Sequence, residues 1–551
     1  MKRILSSAIL AAVAGAGVTI PAWAAGDTIR PLTILSRPQA SQPQEFQSIQ
    51  LLAQEWRKLG LDIRVQVMPW EQMSDLVWYQ RDKWDMTAWQ MVGRPERLDP
   101  DELVYNLFHS STAEKGYNFV GYKNPAYDEI ATAQRAETDI EKRRSLVFKA
   151  QEMIAADQPI INLVHPRVSY VFNKSVWKES SVTEQAGIGI RNFWTSIGIE
   201  PVGEKKDIVL NSADNVNAIN PLYISGGTDS WIYELLWDRL LRVGPDGLPR
   251  PWAAESYNWV NEKTIDVTLR PDLKWHDGSP VTLEDVIFSF QAPAGEEAPM
   301  YKPFVSNIAS IEKTGERTLR FQLKQPAAGF LIATLAKINI IPKKVWEPKI
   351  AELGSKPENA ESYQEPTPMG SGPFKFSRWL KSEEVMLEAN PAHFSAPKAA
   401  RWILRIVPNT EAALGMLKSG EINFLSDYNG DVNVLEQLVA SQPQLKLVTT
   451  TELGFRYVAV NMRRPPFDDT AFRRALSTAF DRRLIVGAAY RGAAVPGVTM
   501  ISPAVQAWYN PGSAKMEAGL DKARAILKEA GYTLQGGKLA YPDGKTEALK
   551  N

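Results

Sequence analysis

Between Pro31 and Val67 the chain alternates strand, helix and strand, and this short stretch constrains the fold more than any other feature. Pro31 to Leu35 is apolar. Over Pro43 to Leu59, Phe46, Ile49, Leu52, Ala53, Trp56 and Leu59 recur at spacings of three and four, which places them on one helix face. Gly60 follows at the position where a helix ends in a left-handed residue. Asp62 to Val67 then alternates, with Ile63, Val65 and Val67 on one side. Two strands separated by one helix are parallel, so the stretch predicts an α/β lobe. A second amphipathic run, Glu71 to Arg81, leads to a further strand over Asp85 to Met91.

The residues ahead of this unit read as a targeting segment. Lys2 and Arg3 precede a small and apolar run, Ile4 to Thr19, and Ala22-Trp23-Ala24 has the small-x-small form of a cleavage site. That is the pattern of a secretory signal peptide over 1–24, and the run falls short of the ~20 apolar residues of a membrane span. The mature chain is expected to begin at Ala25, soluble and exported. Cysteine is absent, which excludes disulfides, thiolate zinc sites, a cysteine nucleophile and a lipid-modified cysteine. Export without a lipid anchor fits a Gram-negative periplasm. Lys plus Arg and Asp plus Glu balance at 63 each, which argues against a nucleic-acid partner or a polybasic membrane contact. The four histidines, His109, His165, His276 and His393, lie far apart, so neither a metal nor a cofactor is expected. The 17 tryptophans are either core anchors or the lining of an aromatic binding site.

Farther along, Asp139 to Ala156 reads as a helix, with Thr138 and Glu141 at capping-box spacing. Ile160 to Val164 and Val168 to Phe172 read as two strands, and Pro201 to Lys206 as a linker. Ile208 to Asn211 starts a fresh strand. Trp259 to Leu269 alternates. Glu284 to Phe290, Asp469 to Tyr490 and Asp521 to Ala530 read as helices. Lys538 to Tyr541 is strand-like and runs into Pro542-Asp543-Gly544, strong turn chemistry with no second strand after it. That leaves a raw sheet edge, for which Pro31 to Leu35 is a candidate partner.

No catalytic motif is present: no nucleophile elbow, no H-E-x-x-H, no P-loop, no dinucleotide fingerprint and no EF-hand loop. Asp99, Asp101 and Glu102 read as a solvated loop around Pro100, or else as a carboxylate cluster for acid/base work or calcium. Gly370-Ser371-Gly372 reads as a tight turn before Pro373 rather than an anion cradle. Asp427, Asn429 and Asp431 are loosely metal-like but more in keeping with a loop. His276, before Asp277-Gly278, reads as a turn residue rather than a general base.

Other blocks are more specific. They are Trp252-Ala253-Ala254-Glu255-Ser256-Tyr257, then Leu269-Arg270-Pro271, Lys274 to Thr282 (KWHDGSPVT) and Glu284-Asp285-Val286. Gly370-Ser371-Gly372-Pro373-Phe374, Leu417 to Ile422, Asn461 to Asp469 and Arg473 to Leu476 follow. Together they resemble the family 5 solute-binding proteins, the oligopeptide, dipeptide and nickel group of ABC importers. The order of the blocks departs from that family. Residues 31–200, with Gly121 to Asp128 (GYKNPAYD), resemble its C-terminal portion, and 207–551 its N-terminal portion. This reads as a circular permutation, which would set Lys538 to Thr546 beside Asp27 to Leu35 in space. Domain termini tolerate such a change because they often lie close together.

The resemblance implies an α/β, two-lobed periplasmic binding protein of type II with an extra subdomain. One lobe is expected from 31–168 with 451–551. The other is expected from 169–244 and 366–450, carrying the subdomain at 245–365. The implied function is capture of a peptide or similarly sized solute in the interlobe cleft and delivery to an inner-membrane ABC permease, with no bond broken and one copy of the chain at work. The alternative is a periplasmic chaperone or an enzyme on the same fold. In peptide-binding relatives an aspartate takes the free amino group, and here Arg94 falls near its place. Trp89, Trp231, Tyr233, Arg456 and Tyr457 are further candidates to line the cleft, each with packing as the competing role.

Overall fold

The opening unit folds as its periodicity predicts. β1 (Leu32–Ser36) and β2 (Ile63–Val67) run parallel, in register from Leu32↔Ile63 to Ser36↔Val67, and the helix Pro43–Arg57 crosses between them. Its inward face buries Ile49, Leu52, Ala53 and Trp56, and the Trp56 indole N–H donates to the Leu476 carbonyl at 2.8 Å. Gly60, at φ 88°, ends the turn that follows. This is a computed structural model, and it describes residues 26–114, 116–222, 227–294, 301–353, 363, 365–428, 430–514 and 517–545. The expected signal segment 1–24, Ala25, Asn429 and Thr546 lie outside the described residues.

The large sheet continues with β3 (Met86–Met91), β4 (Ile160–Asn173), β5 (Asp207–Ser212), β6 (Phe374–Leu380), β7 (Glu384–Ala389), β8 (Arg401–Ile406), β9 (Phe424–Leu425), β10 (Leu445–Thr451), β11 (Phe455–Val460) and β12 (Ala494–Pro496). Its order is β6-β7-β8-β5-β9-β4-β11-β3-β1-β2, with β10 and β12 also paired to β4. β4 joins two halves. Its first residues pair with β11 and β12, and its last with β9 and β10. β10 and β11 follow one another along β4, so two strands running side by side link the halves. One lobe is gathered on a core that includes Ile34, Trp56, Val460, Phe472 and Leu527. The other is gathered on Phe172, Leu210, Trp237, Leu387 and Leu404. A separate antiparallel sheet runs in the order Ile308–Lys313, Thr318–Leu323, Thr264–Leu269 and Ala254–Asn261, and its inward Ile265, Val267, Leu319 and Phe321 share one core with Trp89, Phe108 and Tyr457 of the first lobe. It reaches across to the first, where the Ala328 N–H donates to the Arg135 carbonyl at 2.6 Å.

Several elements differ from their sequence reading. Ile160 to Phe172 is one strand carrying Pro166, because that proline sits where β4 changes partners. Trp259 to Leu269 is not one strand but parts of two, paired as a hairpin. Asp469 to Tyr490 is two helices, Thr470–Thr478 and Arg482–Ala488, because Asp481 caps the second with its side chain. The helix over 140–157 is capped by Asp139, not Thr138: its carboxylate accepts from the Glu141 and Lys142 amides. Lys538–Ala540 does have a hairpin partner, on its other side. It pairs with Thr533–Gln535 through Gly536 and Gly537, both at positive φ, the backbone a tight two-residue turn requires. Its remaining edge meets the other end of the described chain. Thr28 bridges to Ala540, the Ile29 amide donates to the Leu539 carbonyl at 2.8 Å, and the Tyr541 amide donates to Asp27 at 2.9 Å.

Candidate functional site between the lobes

Strand direction alone sets the two lobes edge to edge. β11 is antiparallel to both β3 and β4, and β1 and β2 run with β3. The C-terminal ends of β1, β2 and β3 therefore point along β4 toward the second lobe. There β9 is antiparallel to β4, while β5 and β8 run with β9, so their C-terminal ends point back. Ligands of open α/β sheets bind outside the carboxyl ends of strands, and here two such edges face one another.

The first lobe's edge is aromatic. Trp89 on β3 is buried and stands 4.8 Å from Trp70, which follows β2, and 5.2 Å from Phe119. Trp78 packs edge-on to Phe119 and to Tyr117. Trp70 and Tyr117 stay open to solvent, and Arg37, paired with Glu45, lies 5.4 Å from the Trp70 ring centroid. Arg94 is exposed in the turn after β3. Near the linking strands, Arg456 on β11 donates from Nη2 to Glu452 at 3.4 Å, while its buried Nη1 has no partner. Tyr457, next along, is buried beneath Phe455 and faces Trp89 across the ladder.

The second lobe's edge is polar and tied together by Asn211. Its side-chain N–H donates to the Asp427 carbonyl at 2.8 Å and its oxygen accepts from the Ser426 amide at 2.9 Å, while the Asp427 carboxylate accepts from the Ala213 amide. Arg191 donates from Nη1 to the Ser426 carbonyl at 3.1 Å and lies 3.6 Å from the centroid of Trp231. Burial pushes the Tyr170 phenol up. The nearby Arg191 opposes the shift, and Glu452 and Asp427 add to it, so charges from both lobes act on one ring. Tyr233 sits elsewhere: it is wholly buried and its hydroxyl donates to the Ala218 carbonyl at 2.7 Å.

Sequence reasoning thus named Trp89, Trp231 and Arg456 but missed the residues each of them meets. Arg191, Trp70 and Glu452 carried no motif, and only tertiary proximity brings them forward. The carboxylates singled out near Pro100 are not a solvated loop, and they are not free for a metal. Arg143 takes Asp99 in two bonds of 2.7 and 2.8 Å, Arg135 takes Asp101 and Arg97 takes Glu102. Among the described residues no group of three or more His, Asp or Glu is arranged to hold a metal ion. Gly370 and Gly372 form a close-packed turn rather than a cradle, since a Cβ at Gly370 would lie 1.8 Å from the Leu236 carbonyl oxygen. His276 braces this turn. Its Nδ1 accepts from the Gly370 amide and its Nε2–H donates to the Gly372 carbonyl, and burial lowers its pKa to about 4.

The fold is thus two lobes on a paired-strand link, with the carboxyl ends of their strands turned toward one another. A family model for bacterial extracellular solute-binding proteins, family 5 Middle, matches residues 249–550. The oligopeptide-binding protein AppA of Bacillus subtilis (strain 168) is 29% identical over 351 residues, 62% of each chain. A putative ABC transporter peptide-binding protein of Brucella ovis is 30% identical over 268 residues, 47% of each chain. Among solved structures, AppA from Bacillus subtilis in complex with a nonapeptide aligns at 24% identity and a TM-score of 0.45, covering 62% of this chain and 68% of that one. The chain spans 62% of the length of the first of these curated relatives. With over half of its residues matched by the family model, the protein belongs to the family 5 bacterial extracellular solute-binding proteins.

Proposed function

We propose that this protein captures a peptide or similarly sized solute between its lobes and delivers it, unaltered, to the permease of an ABC importer. The observation that carries this reading is the pair of strand edges turned toward one another and linked through β4 and β10–β11. A ligand touching both edges favours the closed arrangement over the open one, and a permease has a shape to read. Peptide is the favoured class because the relatives named above are oligopeptide- or peptide-binding proteins. Trp89, Arg94, Trp231 and Arg456 belong to this cleft in the proposal. Tyr457 shapes it from beneath, and Tyr233, buried in the second-lobe core, is left out of it.

The protein acts, in this reading, as a single exported copy in the periplasm after removal of residues 1–24. Among the described residues no helix is long and apolar enough to cross a membrane. The lobes are 31–168 with 451–551, and 169–450 with a subdomain at 245–365. The chain order is a circular permutation of the family's, supported by the hydrogen bonds between Asp27–Ile29 and Leu539–Tyr541. The test is small-angle scattering of the purified protein with a mixed di- to pentapeptide library. A smaller radius of gyration with peptide supports capture. An unchanged radius, together with chemical turnover of a peptide, sinks it in favour of an enzyme.

A further inference from the structure

A cavity of about 40 Å³ opens in the second lobe, between β5 and the helix Gly227–Leu236. Phe193, Ile208, Leu210, Leu235, Trp402 and Phe424 form its walls. The polar groups that also reach it are nearly all engaged. Asn192 donates to the Thr183 and Gly189 carbonyls, Thr195 donates to Thr183, Ser196 donates to Asn192, and Glu234 accepts from Arg239 at 3.4 Å. The exception is Arg191, half-buried beside Trp231, whose buried Nε has no partner.

A water needs about 10–15 Å³, so this space holds roughly three or four heavy atoms. Water inside would find apolar walls, whereas an alkyl group leaves water at a gain. A buried guanidinium N–H without an acceptor is costly, and an ionised acceptor satisfies it best. We propose that the cavity is a binding pocket for a branched aliphatic carboxylate, its alkyl branch among the apolar walls and its carboxylate beside the Arg191 guanidinium. Every wall belongs to one lobe, so the pocket exists whether the jaws are open or shut. Arg191 also touches the Ser426 carbonyl at the cleft edge. The carboxylate therefore comes from a free branched-chain acid or from the last residue of a peptide in the cleft, and only the second source rests on the capture proposed above.

Calorimetric titration of the intact protein separates these cases, with 4-methylpentanoate, 4-methylpentanamide, acetate, Ala-Leu and Ala-Leu amide as probes. The expected result is binding of 4-methylpentanoate or Ala-Leu, weaker on the order of tenfold for each amide, and no binding of acetate. Arg191→Gln is expected to lose a similar factor and Arg191→Lys to recover part of it. Ser196→Phe, which plugs a half-buried side of the cavity, is expected to abolish binding. Ala-Leu tighter than 4-methylpentanoate assigns the pocket to a peptide end, and the reverse assigns it to a free acid. The pocket is overturned if neither binds better than acetate, or if Arg191→Gln binds both as wild type does. Scattering on the same samples keeps the two proposals apart. Compaction by other peptides with no response to these probes removes the pocket and leaves the clamp, whereas binding without compaction does the opposite.

Discussion

At the scale of single residues, two buried ionisable groups make measurable claims. Burial works against the charge of Asp85, but Arg30 holds it with two bonds of 2.6 and 2.7 Å, and the Thr33 amide and Arg464 add to them, so its carboxyl titrates below the usual range. One carboxylate thus joins the segment before β1, the start of β3 and the turn after β11. Asp85→Asn leaves two arginines facing a neutral amide, and urea unfolding is expected to show a loss of about 3 kcal/mol. His165 is the second case. Burial lowers its pKa to about 4, with the Gly454 carbonyl, 3.1 Å from Nδ1, pulling the other way. An unfolded histidine titrates near 6.5, so between pH 6.5 and 4 the unfolded chain takes up a proton that the folded one refuses. Stability therefore falls as pH drops through that window, by about 2–3 kcal/mol for this group, and is flat above it. Unfolding curves from pH 7 to 4 check this, and His165→Gln is expected to flatten the slope.

Among the elements, β4 and its partners decide how the lobes are joined. Gly454 lies between β10 and β11, where a Cβ would sit 2.3 Å from the Met91 carbonyl oxygen and 2.8 Å from the Gly93 nitrogen. Both obstacles are backbone, so nothing swings aside. Gly454→Val is expected to part β3 from β11 at the linked end. The measurement is amide exchange, faster at Met91 and Phe455 than in wild type, with a global loss of about 2–4 kcal/mol. Legibility also sorts by element. The helix at 43–57 and strands β1 to β3 were readable, because each buries one face and its period survives in the residues. β4 was read as two strands since Pro166 breaks the local pattern, and only its change of partners from β11 to β10 explains why a proline is tolerated there. The two helices within 469–490 merged in the reading because both are apolar inward, and the Asp481 cap is a weaker signal than the periodicity.

For the whole molecule, the testable claim is that chain order and architecture are separable. On the permutation proposed above, joining Lys545 to Asp27 through a short glycine-serine link and reopening the chain between Gly203 and Glu204, in an exposed turn, would restore the family's order of blocks. The religated protein is expected to keep its circular dichroism spectrum and to melt within roughly 5 °C of the parent, since the join links segments already adjacent and the cut falls in an exposed turn. A chain that no longer folds would mean that the Asp27–Leu539 ladder depends on the present order. Residues written into local chemistry were legible at a distance: the helix and strand periods gave an α/β lobe, the missing cysteines and balanced charge excluded other classes, and the block motifs, by their resemblance, pointed to a solute-binding protein. What the sequence did not carry was the company each side chain keeps. Arg191 meets Trp231, Arg456 meets Glu452, and Arg143, Arg135 and Arg97 claim the carboxylates around Pro100. Periodicity reports which face of an element is buried, because that is a property of neighbours along the chain. The second-lobe cavity is made by residues as far apart as Phe193 and Phe424, and only the folded packing of the chain decides which of them touch.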